Sequence, residues 1–473
     1  MKTRLSRRLF RALRQFPIAL GLMLFLLTAL TCCNLSRSPS IEATAPTPAG
    51  LRIYWRRGLF PEEDQALQQA IAAWERQSSI PVKLSLLSPD DVLNQAVIAL
   101  ENGDPPDIVF AHRADYTLEP RWALEDKLAD VSDVVATVKN QYSQLALDSA
   151  YLYNKAEQKK SFYGVPIEIQ ALHIHYWRDH LAQLGLSDDS VPNDWDEFWQ
   201  FWQQAQTRLR QLGESKIYGL GLTLSPASSD LFVLFEQILE AYNIEVLNAQ
   251  GQLRLNEPQV RQGIITAMKW LTQLYQDKYI PPESLNWVDS DNNVNFLNHN
   301  MLMTANPSLS IPVSQRDDTD LYFKRIATRE FPKKPDGEQM RTLISVKQAL
   351  IFKNAKNIKA AKAFLTYFVE PDRLNAYLIN SRGRSFPTMP SSLKDSFWQS
   401  SADPHISKAV KQLQGQTRLF YHILNPAYSQ VQEESVWGQA LQQIIVNGRS
   451  PEAAVDEAIA RIQKIFDEWQ NIS

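Results

Sequence analysis

Cysteine is almost absent. Cys32 and Cys33 are the only two in 473 residues, and they are adjacent, so no disulfide framework can brace the fold. Stability must come from an ordinary apolar core. A G-x-x-x-x-G-K phosphate loop and a G-x-S-x-G nucleophile elbow are also missing, which leaves nucleotide hydrolysis and hydrolase chemistry without their motifs. Metal-ligating clusters are scarce. His173 and His175 form an H-x-H pair, but zinc needs further ligands and no third one is spaced nearby, so strand packing or hinge lining is the expected role. No metal and no cofactor is implied. The apolar run at residues 18–30 is shorter than the roughly 20 residues of a comfortable membrane span.

What precedes and follows that run gives it a meaning. Lys2, Arg4, Arg7, Arg8, Arg11 and Arg14 form an acid-free basic stretch, and the apolar segment ends at the two cysteines. A basic region, a short apolar region and a cysteine make a bacterial lipoprotein signal, expected here as residues 1–32. Leu30 stands three places before Cys33, the usual lipobox offset, so Cys33 is preferred over Cys32 for lipidation. Ser6, Arg7, Arg8, Leu9 and Phe10 also resemble a twin-arginine export signal. Cleavage before Cys33 leaves 43 basic against 52 acidic side chains, a balance unsuited to nucleic acid. Residues 33–50, rich in Ser, Pro, Thr and Ala, read as a flexible tether with a reach of roughly 20 to 25 Å. The protein is thus expected outside the cytoplasm, lipid-anchored to the outer face of the cytoplasmic membrane.

The remaining 420 or so residues exceed what one core holds, since single cores stop growing near about 250 to 300 residues, so two lobes are expected. Residues 51–55 alternate like a strand. Leu67, Ala70, Ile71 and Trp74 then mark one face of a helix. A strand at 81–87, a helix at 92–100 and a strand at 107–110 complete a βαβαβ start, which implies a mainly parallel sheet with helices on its faces. Ligands of such sheets bind beyond the carboxyl ends of the strands, so the loops after Trp55 and Phe110 should share one rim. Trp195, Trp199 and Trp202 fall at helical spacing and read as a core stripe, with Asp194 and Glu197 placed to form a capping box. The excess of tryptophan, 12 in all, suits either such cores or a binding surface.

Several segments resemble one family in its own order. ENGDPPD at 101–107 is similar to the "sGdaPDvv" signature of extracellular solute-binding proteins of sugar ABC transporters, the class that includes maltose-binding protein. YGVP at 163–166 with ALHIHY at 171–176 resembles the family's first hinge strand, and PNDWDEF at 192–198 its "P.TWdEl" helix start. NFLNHNMLMT at 295–304, the segment 357–371, RGRSFP at 382–387 and GRSPEAAVDE at 448–457 follow in sequence. The resemblance implies an α/β, two-lobed periplasmic-binding-protein fold of type II with three crossover segments. These would lie near Glu168, within 342–349 and within 384–387. Lobe 1 would comprise 51–168 with 341–385, and lobe 2 169–340 with 386–473.

It also implies a function: capture of a sugar or polyol between hinged lobes and delivery to membrane permease subunits, by a monomer without enzymatic activity. A sugar needs an aromatic surface for its ring face and planar polar groups for its hydroxyls. Trp55, Arg56, Arg57 and Phe60 offer both at one rim loop; His112, Arg113, Asp115 and Tyr116 offer both at the next. Gln170 falls where relatives carry a polar hinge residue, and Asn306 follows the strand of the second lobe's rim. Arg384, Tyr428 and Trp437 are further candidates from the return segment and the last helices. Pro307, Ser308 and Leu309 stand where some maltodextrin binders present an aromatic, which argues against a long maltodextrin. Two alternatives stay open. Arg56, Arg57 and Arg113 would suit the phosphate of a glycerophosphodiester, and a cell-surface enzyme acting on carbohydrate would also use a cleft.

Overall fold

The computed structural model describes residues 50–472, apart from the side chains of Asp90, Asn471 and Ile472. The leader, both cysteines and the tether up to residue 49 lie outside the described residues. Among the described residues, no helix is long and apolar enough to cross a membrane.

The strands, in chain order, are β1 (Leu51–Arg56), β2 (Val82–Leu87), β3 (Ile108–Phe110), β4 (Tyr151–Asn154), β5 (Lys159–Phe162), β6 (Gly164–Ala171), β7 (His173–Trp177), β8 (Tyr218–Gly221), β9 (Met301–Asn306), β10 (Ile326–Arg329), β11 (Thr342–Leu350), β12 (Phe386–Pro387) and β13 (Thr417–Arg418). They form two main sheets. The larger has the order β12-β6-β11-β3-β1-β2 with β13 beside the start of β11; the smaller has the order β10-β7-β9-β8. β1, β2 and β3 are mutually parallel, as the βαβαβ pattern predicts, whereas β11 runs antiparallel to both β3 and β6. The hairpin β4-β5 stands apart.

Alternation along β1 sends Leu51, Ile53 and Trp55 into one apolar cluster, where Leu67, Ile71 and Trp74 of the helix Pro61–Ser78 meet them. The helix Ile358–Phe368 adds Ala361, Phe364, Leu365 and Phe368, the same four residues that its sequence periodicity selects. On the second sheet, Trp195, Trp199 and Trp202 of the helix Trp195–Gln211 are buried in the largest cluster, as the stripe predicts. Gly103 adopts φ +73° just past the helix Pro89–Glu101, the left-handed conformation that suits glycine. At the last helix, Ser450 Oγ accepts from the Ala453 amide at 3.3 Å. The expected capping box at Asp194 does not form: Asp194 occupies the cap position, but its carboxylate makes no bond to the helix.

Only Leu172 separates β6 in the large sheet from β7 in the small one. The chain returns between β10 and β11, across residues 330–341. The core is less neatly divided than the sheets. Leu309, Val313 and Tyr322, and later Met389, Trp398, Ile406 and Val410, all pack into the cluster beneath the large sheet. His173 and His175 serve strand packing. His173 Nδ1 meets Gln412 Oε1 at 2.7 Å, and His175 Nδ1 meets Thr328 Oγ1 at 2.9 Å.

Candidate functional site

The parity of three strands builds the centre of the site. Val165, Ile167, Ile169 and Ala171 of β6 face the core, which turns Glu168 and Gln170 to the other face. β11 places Ser345 opposite Gln170 and Lys347 opposite Glu168, just before a bulge between Lys347 and Gln348. Arg56, on the face of β1 opposite Trp55, reaches the same ground. Its Nη2 lies 2.8 Å from Glu168 Oε2 and 2.9 Å from Glu63 Oε1, and Glu63 Oε1 also accepts from Arg384 Nη2 at 3.1 Å. Gln170 Nε2 donates to Glu168 Oε1 at 3.2 Å and to Ser385 Oγ at 3.3 Å. Lys347 Nζ pairs with Asp115 Oδ1 at 3.2 Å and lies 4.6 Å from the centre of the Tyr116 ring.

All these charges are buried, and their titration reflects it. Burial opposes ionisation of Arg56, yet Glu168 and Glu63 together hold its pKa above the ordinary value. Burial likewise works against the Glu63 carboxylate, but Arg384 and Arg56 prevail and keep it low. For Asp115 burial outweighs the Lys347 ammonium and pushes the carboxyl up to about 6. Burial, then the positive charges of Lys347, Arg56, Arg384 and Arg113, hold His112 well below the imidazole range.

Beside this network lies a cavity of about 580 Å³. One wall comes from the large-sheet side: Leu93, Asn94, Val97 and Ile98 of the helix Pro89–Glu101, then Arg113, Tyr116, Thr117 and Leu118 after β3. The other comes from the small-sheet side: Pro226, Ala227, Ser228, Ser229 and Phe232, with Gln432, Glu433 and Ser435. Tyr116 stacks on Phe232 across the divide, with centroids 6.2 Å apart and planes 14° apart, and also meets Phe420 at 5.8 Å. The helix Ser229–Ala241 points its amino end here, but Asp289 already fills that position. Asp289 accepts from Ser228 Oγ at 2.7 Å, Ser229 N at 2.6 Å and Ser229 Oγ at 2.8 Å. Another cavity, of about 570 Å³, lies over β13 and is lined by Tyr151, Arg341, Arg418, Phe420 and Tyr421, among others.

Residues 69–408 match the family model described as bacterial extracellular solute-binding protein. The chain belongs to that family. Among curated relatives, the solute-binding protein is 22% identical over 402 residues to the putative ABC transporter periplasmic-binding protein YcjN of Escherichia coli, covering 83% of this chain and 84% of that one. Its fold is that of two-lobed binding proteins. An ABC transporter solute-binding protein from Thermotoga lettingae bound with α-D-tagatose superposes with a TM-score of 0.72 at 18% identity, covering 88% of this chain and 99% of that one. Maltose-bound MalE3 of T. maritima gives 0.71 at 16% identity, covering 88% and 100%. UgpB of Mycobacterium tuberculosis in complex with glycerophosphocholine gives 0.69 at 18% identity, covering 89% and 99%.

In this solute-binding protein, the residues expected at the site take different places. Arg113 and Tyr116 line the cavity, and His112 and Asp115 flank them. Arg56, Gln170 and Arg384 belong to the buried network behind. Arg57 lies outside it, exposed, donating to the Leu86 carbonyl at 3.3 Å. The expectation for Trp55 is corrected: strand parity turns it into the core, where its ring meets Phe110 at 4.4 Å and its Nε1 donates to Tyr377 Oη at 3.1 Å. Phe60 is buried under the Arg382 guanidinium, 4.6 Å from its ring centre. Tyr428 and Trp437 are also core residues. Tyr428 Oη donates to Glu236 Oε1 at 2.6 Å and accepts from Trp437 Nε1 at 3.1 Å. Asn306 closes its own turn, donating to the Ser308 carbonyl at 2.7 Å.

Proposed function

We propose that this solute-binding protein is the capturing component of an ABC importer, closing its two lobes on a sugar or polyol and presenting it to the membrane permease. The observation that carries this reading is the cavity shared by both lobes. It has a stacked aromatic pair, Tyr116 and Phe232, one from each wall, in a lining that also offers the neutral hydrogen-bonding groups of Asn94, Thr117, Gln432 and Ser435. Aromatic faces suit a pyranose ring, amides and hydroxyls suit its hydroxyl groups, and the volume falls within the roughly 300 to 1,000 Å³ typical of small-ligand sites. Contacts made by both walls exist only when the lobes are together, so a ligand here shifts the population toward closure. The tagatose- and maltose-bound proteins of the same fold support a sugar ligand.

The phosphodiester reading has a relative in its favour, UgpB. Against it stands Asp289, which already occupies the amide and hydroxyls at the amino end of the helix Ser229–Ala241, on the cavity wall. The protein acts by binding and release, without turnover. We place the lipid on Cys33, the lobes at 51–168 with 341–385 and 169–340 with 386–473, and the working unit as a monomer. A thermal-shift panel of saccharides, polyols and glycerophosphodiesters tests the ligand class. The true ligand at about 100 times its Kd adds about 2.7 kcal/mol of stability. A shift with glycerophosphodiesters and none with saccharides or polyols would sink the sugar reading, and hydrolysis of a glycoside would contradict the non-enzymatic one. Palmitate labelling lost in Cys33→Ala and kept in Cys32→Ala is the expected result for the anchor.

A further inference from the structure

Two charged side chains line the 580 Å³ cavity, Arg113 and Glu433. Glu433 has a cation to answer it across the divide, Arg121 of the large-sheet side, and a like charge beside it, Glu434. Arg113 is different. Its guanidinium is half-buried and makes no ion pair or hydrogen bond with any described residue. The nearest carboxylate in sequence, Asp115, is bound to Lys347 Nζ. Glu63 and Glu168, the acids of the network behind, are taken up by Arg56 and Arg384. With those pairs set aside, Arg113 is the cation of its wall without a carboxylate in contact among the described residues; on the opposite wall the Asp289 carboxylate is held by Ser228 and Ser229.

The surroundings point the same way. Among the described residues, Arg56, 1% exposed, finds no acceptor for Nε and Nη1, and Arg384, 8% exposed, none for Nε. His112, adjacent to Arg113, is half-buried with no hydrogen-bond partner among the described residues, and Lys347, Arg56, Arg384 and Arg113 all disfavour its protonated form. We propose that the saccharide taken by this cavity carries a carboxylate, as a uronic or aldonic acid does, and that Arg113 binds it as a planar, bidentate partner. The inference rests on the sugar reading and narrows it. A guanidinium meets two oxygens of a carboxylate or of a phosphate alike; the carboxylate is favoured because one unpaired guanidinium balances its single charge, while the Ser229 amide and the Ser228 and Ser229 hydroxyls that could add to a phosphate site are filled by Asp289.

Calorimetry with the full mature protein tests this, using D-galacturonate, D-glucuronate, their short oligomers and the corresponding aldonates. The matched controls are the neutral parent sugars, the methyl esters and glucose 6-phosphate. The expected result is binding of an acidic saccharide at least about 10-fold tighter than its neutral parent, weakening as salt rises from about 0.05 to 0.5 M. Arg113→Gln should lose about 10- to 100-fold in affinity for that acid. Its ligand-free melting temperature should stay unchanged, because Arg113 holds no other group in place. Equal affinity for the acid and its neutral parent overturns the carboxylate and leaves the sugar reading standing. Preference for the phosphate overturns the carboxylate alone. Silence from every acidic and neutral saccharide overturns both readings.

Discussion

Arg56 shows how much of the site depends on individual charges. Its one terminal nitrogen serves both Glu63 and Glu168, at 2.9 and 2.8 Å, in a region where neither acid reaches water. Removing one member of a buried ionic set costs about 3 to 5 kcal/mol, because the partners left behind stay charged and dry. Arg56→Met should therefore lower the urea midpoint by that equivalent. A loss below about 1 kcal/mol would mean that water already reaches the set. The histidines make a second prediction. Burial, the largest cause for each, holds all seven below the ordinary value, with His173, His180 and His405 near 4 and His422 near 3. The unfolded chain accepts those protons near pH 6.5. The histidine contribution to stability is thus full above about pH 6.5 and is lost as pH falls from there toward 4. Asp115, raised to about 6, opposes this over the same interval but is one group among many. The melting temperature should drop between pH 7 and 4.5; a flat profile would contradict the burial of these rings.

Among the elements, the Trp195–Gln211 helix was the most legible. Its spacing alone places three indoles in the core, because a 3.6-residue period admits one apolar face. Trp202 meets Phe201 at 5.0 Å and Tyr176 at 5.3 Å, while its Nε1 has no acceptor among the described residues. Trp202→Ala should cost about 3 to 5 kcal/mol. Trp202→Phe should cost only about 1 to 2, since it also removes a buried, unpaired N–H. Denaturant titration of the pair checks both. The βαβαβ start and the two rim loops were equally readable, since parallel strands fix which loops lie side by side. The partners within the network were not. Glu168 is on the readable face of β6, but Lys347 meets it through pairing with a strand almost 180 residues later, and a bulge there breaks simple alternation. Trp55 was misplaced because its side chain suited a sugar, although the alternation of its own strand already sent it inward.

At the scale of the molecule, Tyr116 joins the two lobes by stacking on Phe232. Tyr116→Ala should weaken ligand binding and shift the ligand-free protein toward a larger radius of gyration in small-angle scattering. An unchanged radius would show that the stack contributes nothing to closure. The large sheet has another property. β3 and β6 never touch; β11, ending at Leu350, stands between them, and β12 on the outer edge comes later still. The smaller sheet is finished by Arg329. A ribosome therefore delivers the large sheet's opening strands early and their central partner late, so the sheet that begins first is completed last. Threaded through a membrane unfolded and amino end first, the chain would cross with that sheet still open and would take its ligand-binding shape only after most of it had arrived on the far side.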